Sequence, residues 1–257
     1  MSSIPATFKV YHYDSFGEDP LKQIKLNPKA EQKPLCAGEV RVKVFSAALN
    51  PADYKMIQFG ASFAPKHPTP EDPLRLGFDL SGKIVELGSD VKEYRIGDEV
   101  YAMPWLDAIG SFGEYINVGT KFLAHKPTSM SWNEAAGVPL AGQTSWQAIH
   151  TYGKLHEGQH CEGCRRRSDR HLQTELVKSL GADQVIDYTK EKWSDVLAEC
   201  SIDLIYDCGY DAASWNNVAQ KILKEKTGIF VTILTVDKPI ESPIGATLHQ
   251  IFNAPCT

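Results

Sequence analysis

Alternating apolar and polar positions dominate the first half of the chain. Val40, Val42 and Val44 alternate with polar side chains, as a β-strand with one buried face requires. Three more short apolar segments are bracketed by Gly or Asp turn residues, at 82–88, 97–103 and 113–119. Short strands with frequent turns predict a small barrel or sandwich over residues 1–125.

The pattern changes to alternating helices and strands from about residue 126. Ser131 and Glu134 have the spacing of a capping box, which predicts a helix start. Further helices are predicted at 142–152, 172–180, 192–200 and 214–224, and strands at 184–188, 203–208 and 228–234. This alternation indicates βαβ units and a parallel sheet. We therefore expect an α/β chain with a β-rich domain at 1–125 and a parallel-sheet domain at 126–257.

Composition and charge narrow the classes of function. Apolar residues make up 42% and charged residues 23%, as in ordinary globular proteins. The net charge of −5 repels nucleic acid on average. No apolar run approaches the about 20 residues that span a bilayer, and the first residues lack the pattern of a signal peptide. With cysteines too few for a disulfide scaffold, we expect a cytoplasmic protein that binds neither nucleic acid nor a membrane.

Several separate motifs share one family's order along the chain. They are Ala-Ala-Leu-Asn-Pro-Ala-Asp-Tyr-Lys at 47–55, Leu-Gly-Phe-Asp-Leu-Ser-Gly at 76–82, and the segments 97–102, 135–148, 180–188 and 203–209. With these motifs the chain resembles the zinc-independent quinone oxidoreductase and enoyl reductase branch of the medium-chain dehydrogenase/reductase superfamily. The resemblance implies a GroES-like catalytic domain, a partly open barrel, followed by a Rossmann-like nucleotide-binding domain. It also implies reduction of a small-molecule enone or quinone by NADPH.

The same resemblance predicts that zinc is absent. Zinc-dependent relatives carry a cysteine ligand at the position of Asn50 and a histidine ligand at the position of Phe78. An amide and a phenyl ring cannot replace a thiolate and an imidazole as zinc ligands. We therefore expect no catalytic metal at these positions.

The resemblance implies catalytic roles near Asn50. In the family this asparagine lies beside the nicotinamide and the substrate, and its amide could orient either of them. A helix cap before Pro51 explains the same residue equally well. Lys55 and Tyr54 are candidate proton donors, although solvent-exposed side chains are the commoner outcome at such positions.

The resemblance also implies contacts to the cofactor. Lys178 and Tyr188 fall where family members contact the 2′-phosphate of NADPH, which favours NADPH over NADH. A solvated helix face and a strand-end aromatic explain these two residues by position alone. Gln143 and Thr144 open the helix that borders the nicotinamide in relatives, and a helix cap explains them nearly as well.

The glycine-rich turn of the family is missing. Residues 160–174 stand where the family has a strand, a Gly-rich turn, a helix and a second strand, and no G-x-G-x-x-G occurs in the chain. That motif brings backbone amides to the pyrophosphate. Cys161 and Cys164, flanked by His160 and His171, instead have the spacing of a metal half-site. Four arginines could attract an anion, and a solvated charged loop is the alternative; they are Arg165, Arg166, Arg167 and Arg170.

The missing turn leaves three interpretations open. The first is an oxidoreductase of the resembling family. The second is a catalytically inert relative that retains its GroES-like domain as an interaction module. The third is an incomplete gene product, because the segment at 160–174 has the character of an out-of-frame stretch and the chain ends well before full-length relatives do. A homodimer is also left open, since the strand that commonly pairs subunits in relatives lies near the sheet edge.

Overall fold

A computed structural model describes residues 4–60, 64, 66–104, 110–164, 170–187, 189–209 and 211–251. These residues divide into two compact units, one up to Gln143 and one from Thr144 onward. No helix in the described ranges has the length and apolar character that a bilayer span requires.

Antiparallel sheets form the first unit. In chain order its strands are β1 (Thr7–Tyr13), β2 (Lys25–Glu31), β3 (Glu39–Ala48), β4 (Leu74–Arg75), β5 (Asp79–Leu87), β6 (Glu99–Ala102), β7 (Tyr115–Gly119) and β8 (Leu123–His125). Five of them form one sheet in the order β7-β3-β5-β6-β8, and three form another in the order β2-β1-β4. The prediction of a β-rich first domain is confirmed.

The alternation in β3 builds the core of the larger sheet. Val40 and Val42 are fully buried, and Val42 pairs directly with Ile84 of β5. Arg41 is also buried, although the alternation predicts it on the solvent side. Its guanidinium forms an ion pair with Glu86 at 3.0 Å and donates to Asn117 Oδ1 at 3.2 Å, which satisfies the buried charge.

Four helices belong wholly or partly to the first unit, namely α1 (Pro20–Gln23), α2 (Pro51–Phe59), α3 (Trp132–Ala136) and α4 (Pro139–Trp146). The capping box predicted for α3 is confirmed. Ser131 Oγ accepts from the backbone N–H of Glu134 at 3.3 Å, and Glu134 Oε2 accepts from that of Ser131 at 2.8 Å. The predicted helix over 142–152 begins three residues earlier, as α4, and ends in a π-helical segment, Gln147–Tyr152.

A parallel sheet forms the second unit. Its elements are β9 (Cys161–Cys164), α5 (Arg170–Ser179), α6 (Trp193–Val196), β10 (Leu204–Asp207), α7 (Ala219–Ile222), β11 (Ile229–Thr232) and β12 (Thr247–Gln250). The strand order is β12-β11-β10-β9, and every pairing is parallel. This arrangement confirms the predicted α/β class. Ile205, Leu223 and Phe230 are fully buried in its core.

The prediction of a strand at 184–188 is wrong for the described residues 184–187, because these residues form no strand and pair with none. Asp187 instead closes a local turn, since its Oδ1 accepts from the backbone N–H of Thr189 at 3.0 Å and from its hydroxyl at 2.6 Å. Ile186 nevertheless packs against the core of the second unit. The apolar residue that suggested a strand therefore contributes through side-chain packing and not through strand pairing.

Two predicted helices are shorter than expected. Of the helix predicted at 192–200, only α6 forms. It ends at Val196, because the backbone of the next residue, Leu197, is extended. The helix at 214–224 splits into a 3₁₀ segment, Ala212–Asn216, and α7. Asn217 lies between these pieces with non-helical angles, and its side chain accepts from the backbone N–H of Val218 at 2.5 Å. Such local side-chain bonds compete with a continuous helix.

Candidate active site

A buried network of two aspartates and one asparagine connects α2 to β5. Asn50 precedes α2, Asp53 lies in its first turn, and Asp79 begins β5. Asn50 Nδ2 donates to Asp79 Oδ2 at 2.9 Å, and the backbone N–H of Asn50 donates to Asp53 Oδ2 at 2.6 Å. Asp79 is 0% exposed and Asp53 is 6% exposed. The network thus holds Asn50 through both its side chain and its backbone.

The second oxygen of each carboxylate also has a donor. Asp53 Oδ1 accepts from the backbone N–H of Phe78 at 3.2 Å. Asp79 Oδ1 accepts from the backbone N–H of Leu140, 61 residues away, at 3.0 Å. Leu140 lies in the first turn of α4, whose N–H groups lack partners within the helix. Asp53 and Asp79 therefore stabilise the N-termini of α2 and α4 as buried acceptors.

Burial raises the pKa values of both carboxyl groups. The pKa of Asp53 rises to about 6, although hydrogen bonds from Asn50 and Phe78 oppose the shift. The pKa of Asp79 rises to about 7, mainly through burial and in a smaller part through the negative charge of Asp53. Both protonation states of Asp79 are therefore populated near neutral pH.

The side chain of Asn50 keeps free hydrogen-bonding capacity. It is half-buried, and its Nδ2 uses one of two N–H groups on Asp79. Asn50 is also the N-cap of α2, and in its capping box the side chain accepts from the backbone N–H of Asp53. The orientation of the amide follows from the acceptor that it faces, because a carboxylate cannot donate to Oδ1 when it is ionised. One N–H of Nδ2 and the second lone pair of Oδ1 therefore remain for a ligand.

Apolar side chains surround the position where zinc-dependent relatives have histidine. Phe78 is buried and packs with Met56 and Met103, and Leu140 contacts the same cluster. Neither a phenyl ring nor a methylene chain ligates zinc. Over the part of the chain that the structure describes, His, Cys, Asp and Glu form no group of three or more that could hold a metal ion.

The two candidate proton donors lie on α2 outside this network. Tyr54 is 45% exposed, as expected for a solvent-facing residue. Lys55 is half-buried. Among the described residues neither side chain forms a hydrogen bond with Asn50, Asp53 or Asp79. Their part in proton transfer stays a prediction.

The predicted cofactor residues are distributed over the second unit and its border. Thr144 is buried within α4. Lys178 is exposed in the last turn of α5. Tyr188 lies outside the described residues. Lys178 is therefore accessible to a phosphate group from the solvent. The roles of Thr144, Lys178 and Tyr188 in cofactor binding stay predictions.

An open cavity of about 180 Å³ adjoins the start of α4 in the first unit. It is smaller than the about 300–1,000 Å³ of typical ligand pockets, so it suits a small molecule. Met103 lines the cavity and also contacts the Phe78 cluster, and Gln143 contributes an amide. The other lining residues are Tyr101, Ala102, Lys121, Phe122, Leu123, Ala124 and Pro139.

The buried roles of the two aspartates were not predicted from the sequence. Asp53 and Asp79 occur there only within the motifs at 47–55 and 76–82. The available signal was a carboxylate placed between two large apolar residues, Phe78 and Leu80, at the start of a strand. A charged side chain at such a position is rarely buried without partners.

The residues at 160–164 form a strand in place of a metal site. Cys161 pairs with Leu204 and Cys164 with Asp207, so the two cysteines stand at opposite ends of β9. A C-x-x-C half-site needs a tight turn, and the backbone here is extended. The strand forms without β-branched residues because its ladder uses only backbone groups. Arg165, Arg166 and Arg167 lie outside the described residues.

Comparison with known proteins supports the resemblance. Residues 36–128 match the alcohol dehydrogenase GroES-like domain. The chain is 31% identical over 264 residues to a 2-methylene-furan-3-one reductase from Solanum lycopersicum, covering 92% of this chain and 65% of that protein. It is 33% identical over 251 residues to a chloroplastic NADPH-dependent alkenal/one oxidoreductase from Arabidopsis thaliana, covering 87% and 62%. The chain spans less than two thirds of the length of these relatives.

Solved structures share the fold. A quinone oxidoreductase from Coxiella burnetii superimposes with a TM-score of 0.79 at 24% identity, over 97% of this chain and 84% of that one. The CurK enoyl reductase superimposes with a TM-score of 0.73 at 18% identity, over 95% and 81%. Residues 36–128 therefore belong to the alcohol dehydrogenase GroES-like domain family, and the described chain shares the fold of these two solved structures.

Proposed function

We propose that the chain is an oxidoreductase that reduces a conjugated enone or a quinone with NADPH and without zinc. The names of its relatives support this class, since they include alkenal/one and quinone oxidoreductases. The observation that carries the proposal is the amide of Asn50, which Asp79 and the capping box of α2 hold in one orientation while one N–H and one lone pair of Oδ1 remain for a ligand. These are the groups that a carboxamide or a carbonyl oxygen would recognise.

The nicotinamide end of the cofactor fits Asn50. The second lone pair of the Asn50 carbonyl oxygen can accept from the carboxamide of a nicotinamide, and the remaining N–H can donate to a substrate carbonyl. When it is bound, reduced nicotinamide supplies a hydride. Asn50 contributes placement, and the buried carboxylate of Asp79 prevents its amide from rotating.

The residues of the second unit fit the pyrophosphate of NADPH less well than Asn50 fits its nicotinamide. The turn that follows the first parallel strand of a Rossmann-like sheet carries the glycines that approach the pyrophosphate. In this chain residues 165–169 follow β9 in the sequence and contain no glycine. The glycine within β9, Gly163, has open space where a Cβ would stand, so no close contact within the described structure requires a glycine there. We therefore expect NADPH to bind weakly, with Lys178 as a contact for the 2′-phosphate.

The apolar residues near Asn50 exclude water from this part of the unit. Phe78, Met56 and Met103 pack together in a buried apolar cluster, and the cavity beside Met103 would take a small enone or quinone. An apolar environment that excludes water strengthens a hydrogen bond from Asn50 to a carbonyl oxygen on which negative charge develops. Lys55 is our candidate for the proton that completes the reduction, with Tyr54 as the alternative.

The missing glycines favour a second candidate function. A relative that has lost the pyrophosphate turn could retain its GroES-like domain as an interaction module. This protein would fold and yet consume no NADPH. A cytoplasmic location and a homodimeric state belong to the first proposal as sequence-based predictions.

One experiment separates the two functions. Purified full chain is titrated with NADPH while tryptophan fluorescence is followed, and NADPH consumption is then recorded with a small enone and with a quinone. We expect weak saturable binding, and consumption that Asn50→Ala lowers by at least about tenfold through loss of an oriented hydrogen bond. Asn133→Ala is the matched control, since its amide bonds only to Ser46 Oγ on the protein surface.

Two results would contradict the proposal. An absence of NADPH consumption in a preparation whose circular dichroism shows a folded β-rich protein would contradict the reductase and favour the inert interaction module. Equal NADPH consumption by the Asn50→Ala variant and the wild type would contradict the proposed role of Asn50.

A further inference from the structure

The cavity of about 180 Å³ beside α4 has two kinds of lining. Most of its lining residues are apolar, and three carry polar side chains, namely Tyr101, Lys121 and Gln143. An apolar cavity with a few polar residues around it is the usual form of a small-molecule site. These three polar residues therefore decide which ligand the cavity can recognise.

The polar side chains at this cavity have no partners within the described protein. In the ranges that the structure covers, the Tyr101 hydroxyl, the Lys121 ammonium and the Gln143 amide form no hydrogen bond or ion pair with another residue. Tyr101 and Gln143 are nevertheless half-buried. A ligand that bonds to these groups would therefore displace water alone and would break no bond within the protein.

Lys121 supplies the charge at this cavity. It lies in a 3₁₀ segment, Thr120–Phe122, and its Nζ lies 4.7 Å from the centroid of the Phe122 ring, which lines the same cavity. A cation–π contact of this kind favours an ammonium position beside the ring. The carboxylate of Glu93 accepts from the side chain of the adjacent Thr120, and among the described residues it forms no ion pair with Lys121.

Hydrogen-bond donors dominate the polar part of the lining. An ammonium has three donors and no acceptor, and a phenol and an amide can each donate as well. No aspartate or glutamate is among the described residues that line the cavity. A carboxylate accepts at about four lone-pair positions, and its single negative charge matches the single positive charge of Lys121. A phosphate dianion would need a second cation, so a carboxylate is the better match.

We propose that this cavity selects an enone that carries a carboxylate, and that Lys121 determines this specificity. The inference rests on the proposed reductase function, because it names the substrate class of the same cavity. The ammonium of Lys121 binds the carboxylate, and Tyr101 and Gln143 supply further donors. The apolar body of the substrate packs on Met103, which also belongs to the Phe78 cluster.

Binding is measured first, on the full chain and without cofactor. Isothermal titration calorimetry with 4-oxopentanoate, a small keto acid, is expected to show saturable binding at one site. Pentan-2-one, which has a methyl group in place of the carboxylate, should bind at least about tenfold more weakly, as expected for loss of a charge-assisted hydrogen bond. Lys121→Gln should raise the Kd of the keto acid by about tenfold and leave that of pentan-2-one unchanged.

Lys92→Gln is the matched control for the change in net charge. Lys92 is an exposed lysine of the first unit that does not line the cavity, and its Nζ donates to the carbonyl oxygen of Ser89. Its substitution should leave the Kd of the keto acid equal to that of the wild type. The ionic strength is held constant with sodium chloride, because screening weakens every exposed charge.

Specificity is measured second, as NADPH consumption with 4-oxopent-2-enoate and with pent-3-en-2-one. These two enones differ in reactivity, so the quantity compared between proteins is the ratio of their kcat/KM values. Lys121→Gln is expected to lower this ratio by about tenfold, through a higher KM for the acid. Lys121→Arg retains the charge and should retain most of the preference.

The two measurements separate this inference from the proposed function. Keto-acid binding that depends on Lys121, in a protein that consumes no NADPH, would support the carboxylate site and contradict the reductase. An absence of saturable keto-acid binding would overturn the carboxylate site, as would an equal Kd in the wild type and Lys121→Gln. Either result overturns the site even in a protein that reduces pent-3-en-2-one with NADPH.

Discussion

Asn50 and Asp79 are joined by a hydrogen bond of 2.9 Å between Nδ2 and Oδ2, across 29 residues of sequence. The same aspartate accepts from the backbone of Leu140. A single buried side chain therefore positions both the candidate catalytic amide and the start of α4.

Replacing Asp79 by alanine is expected to destabilise the first unit. The change leaves Asn50 Nδ2 and the N–H of Leu140 without their buried acceptor and opens a small cavity, at a cost of about 2–4 kcal/mol in the free energy of unfolding. Urea unfolding followed by circular dichroism measures this cost. Asp90→Ala is the control, because Asp90 is exposed and its side chain accepts only from its neighbour Ser89. Equal losses in the two variants would contradict the prediction.

The buried aspartates predict an unusual dependence of stability on pH. The pKa values of Asp53 and Asp79 in the folded state are about 6 and about 7, above the value of 3.8 that is ordinary for an aspartate. Between about pH 4 and pH 7 the folded protein therefore binds more protons than the unfolded chain, so the contribution of these groups to stability falls as the pH rises.

The isosteric variant Asp79→Asn isolates this effect. It removes the titrating group, so the free energy of unfolding of the wild type should fall relative to that of the variant by about 1 kcal/mol per pH unit across this window. Carboxylates with lowered pKa values, such as Asp187, are common to both proteins and cancel in the comparison. Urea unfolding at several pH values provides the measurement, and parallel curves for the two proteins would disprove the raised pKa of Asp79.

The capping box of α3 predicts a smaller loss. Ser131→Ala removes the acceptor for the backbone N–H of Glu134 and should reduce the free energy of unfolding by about 1 kcal/mol. Ser129→Ala, at an exposed turn position two residues earlier, should change it by less than about 0.5 kcal/mol. Chemical denaturation of both variants tests the difference. A Ser131→Ala variant as stable as the control would mean that the cap contributes nothing.

The core of the second unit is expected to be sensitive to single truncations. Phe230 is fully buried and its ring lies 5.9 Å from that of Trp215. Phe230→Ala should cost about 3–5 kcal/mol, which is a large part of the net stability of a small domain. Near-ultraviolet circular dichroism should lose the signal of Trp215. Ile96→Ala, at a position that is 51% exposed in the first unit, should leave that signal unchanged if burial is the cause.

Local patterns were sufficient for part of the fold. The valines of β3 alternate with polar residues, and this alternation is a property of the strand itself, so it predicted the buried face correctly. The capping box of Ser131 and Glu134 depends on residues three apart and was equally predictable. The prediction of one helix at 214–224 was wrong because the side chain of Asn217 accepts a hydrogen bond from the backbone N–H of Val218. This local bond outweighs the weak helical preference of the segment.

The candidate site depended on contacts between distant residues. The sequence alone determined the order of the motifs, the absence of a G-x-G-x-x-G pattern, and the presence of Asn50 and Phe78 at the positions that the resemblance compares with zinc ligands. Only the tertiary structure decided that Asp53 and Asp79 are buried beside Asn50. The physical reason is that burial and electrostatic interactions depend on which side chains the packed strands bring within a few ångströms, and residue spacing along the chain does not contain that information.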